Sequence, residues 1–140
     1  MWLAEACAVN DLTRARYVSL VTFRRSGDMV ATPVWAASVG DDFYVFSAGD
    51  AGKVKRLRNS SRARLAACSF RGELLGSWHD AEAELVDDED VIAVAHRALR
   101  AKYGVQMWLA DVSARLSGRL HRRAYIRVRL LTRSENPEAG

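Results

Sequence analysis

Two hydrophobic rhythms run through this chain. Tyr17-Val18-Ser19-Leu20-Val21-Thr22-Phe23 is dense in β-branched and aromatic residues, which suit a pleated, half-buried surface, and it predicts a first strand. Arg24 to Asp28 reads as a hairpin turn in which Gly27 takes positive φ. Further strands are predicted over Met29 to Ser38, Phe43 to Ser47, Ala63 to Ser69, Ser77 to Val86 and Ala124 to Leu131. In the third, Phe43, Val45 and Ser47 share one face, and Tyr44 and Phe46 the other. In the fifth, His79, Ala81, Ala83 and Leu85 oppose Trp78, Asp80, Glu82 and Glu84, so one face is apolar and the other wet.

Spacing of three and four residues predicts the helices. Trp2 to Val9 is the first, and a short one starts at or just after Gly52, seated by Val54 and Leu57. A longer helix opens on Asp87-Asp88-Glu89-Asp90, where acids complement the helix dipole, and stops at Gly104. Val105 to Leu116 is the last, with Trp108, Leu109, Val112 and Leu116 on one side. This order of strands, with one helix after the third and a helical pair before the last, predicts a small barrel. Residues 1–140 read as one domain with its core over about 12–131, and the polar tail 132–140 is expected to be disordered.

Two local features stand out against this frame. Pro33 lies inside the second strand, and proline has no N–H for the ladder, so pairing is interrupted or at an edge there. Backbone groups near Pro33 are thereby left for a ligand, and Trp35 on the same face either walls that ligand or packs in the core. The second feature is charge. Residues 53–64 hold six cations, Lys53, Lys55, Arg56, Arg58, Arg62 and Arg64, and no acid; residues 80–90 hold seven acids and no cation. The cations follow the glycine-bearing turn Ala48 to Gly52, and Lys53, Lys55, Arg56 and Arg58 sit on the helix that starts there, where N–H groups and cations together favour a phosphate. Ser47 faces the same turn. The plain alternative is a solvated basic helix.

Composition narrows the classes. At 140 residues, 49% hydrophobic and 27% charged with a net charge of +4, the chain is long enough for a real core and mildly basic. The basic stretch carries no aromatic residue, which argues against stacking of single-stranded bases and hence against nucleic acid as partner. Cys7 and Cys68 have no metal spacing and form no disulfide framework, so no metal is expected. No apolar stretch approaches ~18 residues and no signal peptide is evident, so no membrane span and a cytoplasmic location are expected. No side chain stands out as a catalytic nucleophile or base. His79 and Tyr44 are possible proton donors, with a structural role the preferred reading for His79.

Four runs carry a family resemblance: Ala15 to Arg24 (ARYVSLVTFR), Thr32-Pro33-Val34-Trp35, Gly52 to Asn59 (GKVKRLRN) and Ala98 to Gly104 (ALRAKYG). In this order and spacing they resemble the pyridoxamine 5′-phosphate oxidase-like split β-barrel family, in its coenzyme F-420-dependent (deazaflavin) branch. The resemblance spans roughly residues 12–130. It implies a mainly β fold with peripheral helices, a six-stranded split barrel that forms a homodimer with cofactor at the interface. It implies a flavin-type ring near Thr32, Pro33, Val34 and Trp35. The phosphate and anionic tail would lie on Ser47, Gly52, Lys53, Lys55 and Arg56, and Trp78 would meet the ligand or the second subunit. Relatives use flavin mononucleotide (FMN) or F-420, and six cations lean toward the longer polyanion. The implied activity is hydride transfer from reduced F-420 to a small-molecule acceptor. The alternatives are an FMN-binding oxidoreductase of the same fold and a non-catalytic flavin or deazaflavin carrier.

Overall fold

A computed structural model describes residues 12–48, 52–117 and 123–131. The helix expected over Trp2 to Val9, most of the turn before Gly52, the connector after Ser117 and the polar tail lie outside them. The strands are β1 (Tyr17–Phe23), β2 (Met29–Val34), β3 (Ala36–Val39), β4 (Asp42–Ala48), β5 (Arg62–Cys68), β6 (His79–Val86) and β7 (Arg123–Leu130). The helices are α1 (Gly52–Asn59), α2 (Glu89–Tyr103) and α3 (Val105–Leu116).

All seven strands belong to one antiparallel sheet in the order β2-β1-β5-β6-β7-β4-β3. Its two edge strands are consecutive in the chain. β2 pairs with β1 from Val18↔Val34 to Phe23↔Met29, and β3 pairs with β4 from Ala36↔Val45 to Val39↔Asp42. Trp35 alone separates them. The segment around Pro33 and Trp35 therefore leaves one neighbour and joins another, and the sheet curls until its edges are two halves of one stretch. The expectation of six strands counted Met29 to Ser38 as a single strand; the described residues form seven because the ladder changes partner at Trp35.

The core follows from this curl. Val18, Leu20, Val34, Ala36, Phe43, Val45, Ala63, Leu65, Ala81, Ala83, Ile126 and Val128 come from all seven strands and form one buried cluster, joined by Leu57 of α1. Alternation along each strand puts these residues on the inner face. A second cluster lies outside the sheet, where Ala95, Leu99, Tyr103 and Met107 of the helical pair cover Ala37, Tyr44 and Tyr125. α2 is capped by Asp88, whose carboxylate accepts from the N–H of Asp90 at 2.8 Å and of Val91 at 3.4 Å. Gly104, at φ 55°, ends it and donates its N–H to the carbonyl of Arg100.

α3 has the predicted bounds. Its buried residues are Met107, Asp111 and Ala114, while Trp108, Leu109 and Leu116 are exposed. Asp111 is kept inside by two partners. Its carboxylate accepts from Arg123 Nη1 at 2.7 Å and meets His96 Nε2 at 2.8 Å, which ties β7, α2 and α3 together.

Candidate functional site

The cationic helix resolves into residues with different tasks. Val54 and Leu57 are buried and seat α1 on the sheet. Lys55 and Arg58 are exposed. Arg62 lies over the Phe23 ring at 4.3 Å, and Arg64 is paired with Asp80 at 2.9 Å across β5 and β6. Lys53 and Arg56 remain, half-buried and three residues apart on one face.

Arg56 turns back toward the start of its own helix. Its Nε donates to Thr22 Oγ1 at 2.6 Å, and a Cβ built on Gly52 would stand 2.7 Å from its Nη1. Glycine at position 52 thus leaves the space that the guanidinium uses. Burial and the nearby Arg24 lower the pKa of Arg56, and burial and Arg56 lower that of Lys53. Neither Lys53 nor Arg56 makes an ion pair with a carboxylate among the described residues. Exposed Arg24 and half-buried Lys53 therefore each lie near enough to Arg56 to interact with its charge, at a helix start whose first N–H groups have no partner within the helix. That is the electrostatic condition for binding an anion.

The Thr32 to Trp35 run leads away from this cradle along β2. Thr32 stands opposite Leu20 and Val34 opposite Val18, so both share the inner face with the core. Pro33 is exposed on the other face, where the turn after β5 comes close; a Cβ on Gly72 would lie 3.5 Å from Pro33 Cγ. Trp35 stacks on Tyr103 of α2 with ring centroids 4.8 Å apart and planes 12° from parallel, and meets Phe46 edge-on at 6.0 Å. Trp35 is thus engaged in helix packing, and only its remaining surface can face a ligand. Ser47 is buried at the end of β4, opposite Ala124. Trp78 is exposed in the loop before β6. Of the residues singled out in the sequence, the structure gathers Gly52, Lys53 and Arg56. Thr32 to Trp35 lie along the adjoining strand, while Lys55 and Trp78 are exposed outside the cradle.

Four residues were missed. Thr22 and Arg24 complete the cradle from β1 and the turn after it. Lys102 and Tyr103, at the end of α2, grip the strand break. The Tyr103 hydroxyl accepts from the N–H of Ala36 at 3.0 Å and donates toward the carbonyls of Arg16 (2.9 Å) and Ala36 (3.1 Å). Lys102 Nζ donates to the Ala36 carbonyl at 2.6 Å. Burial, and then repulsion from Arg16, brings the Lys102 amine down to about 8; burial pushes the Tyr103 phenol up to about 12. Both residues belong to the Ala98 to Gly104 run, a signal that was present without a role attached.

His79 is half-buried on β6 opposite Leu65, and Tyr44 is buried under the helical pair. Among the described residues no group of histidine, cysteine or acidic side chains could hold a metal, and no helix is long and apolar enough to cross a membrane. Cys68 is a buried free thiol whose pKa burial raises.

No family model matches the chain, and no curated protein matches it. Solved structures do. The chain is similar to HutZ, the heme storage protein of Vibrio cholerae, at 12% identity and TM-score 0.68, covering 91% of this chain and 90% of that one. It is similar to a candidate pyridoxamine 5′-phosphate oxidase of Listeria innocua at 12% identity and TM-score 0.60, covering 92% and 94%. A conserved hypothetical protein of Mycobacterium tuberculosis aligns at 16% identity and TM-score 0.69, covering 91% and 81%. At these identities the likeness is one of fold: the curled sheet with its helices is of the split-barrel kind seen in pyridoxamine 5′-phosphate oxidase-like proteins.

Proposed function

We propose that this protein is an oxidoreductase that binds a phosphate-bearing flavin-type cofactor, with the phosphate at the start of α1. The observation that carries the reading is a set of cations with no carboxylate partner among the described residues, Lys53 and Arg56 with Arg24 nearby, at a helix start where Gly52 leaves room for the Arg56 guanidinium. Such a set is unfavourable until an anion enters it. The likeness in fold to a candidate oxidase supports the same reading. The cofactor supplies the hydride chemistry, and this chain supplies position and electrostatics. Lys53, Arg56 and the N–H groups after Gly52 would hold the phosphate. The outer face of β2 and the open surface of Trp35 would flank the ring.

The resemblance of the four sequence runs makes the cofactor coenzyme F-420, with hydride passing to a small-molecule acceptor. One observation favours FMN instead. Of six cations in residues 53–64, Lys53 and Arg56 are the two that the cradle uses, and two cations suit a monophosphate better than a longer polyanion. A carrier without turnover has support from the similarity to a heme storage protein. The protein is further proposed to act as a homodimer. Met29, Phe70, Leu74, Leu75 and Trp78 expose large apolar side chains, a surface that a second copy would cover.

Absorbance spectra of the purified protein soaked separately with FMN and F-420, then passed through a desalting column, test this reading. Retention of one chromophore is expected, followed by its reoxidation by electron acceptors once reduced. Retention of neither overturns the proposal; retention without turnover selects the carrier.

A further inference from the structure

The grip on Ala36 contains more charge than it needs. Tyr103 already satisfies the Ala36 N–H and ties it to Arg16. Lys102 adds one hydrogen bond to the Ala36 carbonyl, which a neutral donor would make as well. Its ammonium is half-buried, lies 5.3 Å from the centre of the Tyr103 ring, and is repelled by Arg16, itself 5.7 Å from that ring on the segment before β1. No carboxylate pairs with Lys102 among the described residues. An ammonium has three donors, and Ala36 uses one. A desolvated cation with spare donors beside a second cation marks a place where negative charge from outside would be stabilised.

We propose that Lys102 is a positioning residue for the ring end of the cofactor: it holds the break between β2 and β3 through Ala36 and directs its ammonium at an electron-rich group of a ligand lying against Trp35. This rests on the flavin-type reading above. The cradle is anchored at Thr22, which stands opposite Val30, and Ala36 is six residues further along the same stretch. At the rise of a strand that is at most about 20 Å. The two ends then divide the work, with the phosphate at α1 and the ring edge at Lys102.

The arrangement has a pH signature. In the ligand-free protein burial and Arg16 bring the Lys102 amine down to about 8; Arg16, from the segment before β1, and Tyr103 of α2 are the charged and titratable groups beside it, and Tyr17 of β1 acts on Tyr103. An electron-rich group brought to Nζ favours the ammonium, so binding takes up a proton above that pH. Affinity falls about tenfold between pH 7 and pH 9 for one such group.

The test is the dissociation constant of FMN and of F-420 measured from pH 6.5 to 9.5 for the wild type, Lys102→Met and Lys102→Arg. Lys53 titrates equally in all three, so the difference between profiles isolates position 102. The expected result is a wild-type profile that weakens above pH 8, a weak and flatter profile for Lys102→Met, and a tight and flatter one for Lys102→Arg. If Lys102→Met does not fold, the wild type against Lys102→Arg gives the same contrast. Identical profiles for wild type and variants overturn the role of Lys102 and leave the cofactor reading intact. Binding of neither cofactor by the wild type overturns both.

Discussion

The cations of this protein fall into two groups. Arg64, Arg123 and Arg127 each meet a carboxylate: Asp80, Asp111 and Glu84 respectively. Lys53, Arg56 and Lys102 meet none among the described residues, and burial with a neighbouring cation lowers the pKa of all three. The first group lies on cross-strand pairs and between packed elements, where the register brings opposite charges together. The second lies at the two ends of the β2 stretch, around Thr22 and around Ala36. A folded chain pairs its buried charges when stability alone decides the matter. On the proposed function, the cations that meet no carboxylate among the described residues mark the surface that a ligand would complete.

That contrast can be tested from both sides. The largest effect belongs to the paired group. Asp111→Ala strands the buried guanidinium of Arg123 and should cost ~3–5 kcal/mol in denaturant unfolding, with cofactor affinity unchanged where the protein remains folded. Burial alone would raise the Asp111 carboxyl, but its bonds to Arg123 and His96 outweigh that and hold it below the usual range. Its contribution is therefore present above the unfolded carboxylate pKa and is lost as pH falls through the folded one, so an acid-unfolding curve should move to higher pH in Asp111→Asn.

Lys53→Ala and Arg56→Ala should each weaken cofactor binding by ~1.5–3 kcal/mol, the range for a hydrogen bond to a charged group, with the melting temperature unchanged in Lys53→Ala and lowered in Arg56→Ala, which also loses the bond to buried Thr22. Lys102 produces a smaller effect of unusual sign. Its folded pKa of about 8 lies below the ordinary 10.5, so between those values the unfolded state binds more protons and stability rises with pH. The melting temperature of the wild type relative to Lys102→Met should climb across that window. Arg64→Ala, at a partly exposed pair, should cost under ~1 kcal/mol and leave cofactor affinity alone.

Local pattern predicted local structure closely. α1 begins at Gly52 and α3 runs from Val105 to Leu116, because spacing and end signals were strong there. Tyr44 and Phe46 face away from Phe43 and Val45, as strand alternation requires. What local pattern could not contain was pairing at a distance. Met29 to Ser38 reads as one strand, and only the closure of the sheet divides it at Trp35 between β1 and β4. The sequence grouped Trp108, Leu109, Val112 and Leu116 on one side of α3 without saying what covers it; the buried side carries Asp111, which local pattern counts as wet until Arg123 and His96 are brought to it. The six cations read as one patch for the same reason. Which of them find partners depends on β6 for Arg64, on Phe23 for Arg62 and on Thr22 for Arg56, and none of these is adjacent in sequence. Trp35 was open between ligand wall and core packing; its stacking on Tyr103 gives it the packing role on one face.

The central claim is that Lys53 and Arg56 of α1, which meet no carboxylate among the described residues, hold the phosphate of a flavin-type cofactor. Calorimetric titration of the wild type, Lys53→Ala, Arg56→Ala, Lys55→Ala and Arg64→Ala with FMN and with F-420, at two salt concentrations, tests it most directly. The account predicts saturable binding of one cofactor that weakens with salt. It predicts a loss of roughly tenfold or more in Lys53→Ala and Arg56→Ala, a smaller loss in Lys55→Ala and none in Arg64→Ala. A series in which all four variants bind as the wild type does would contradict it.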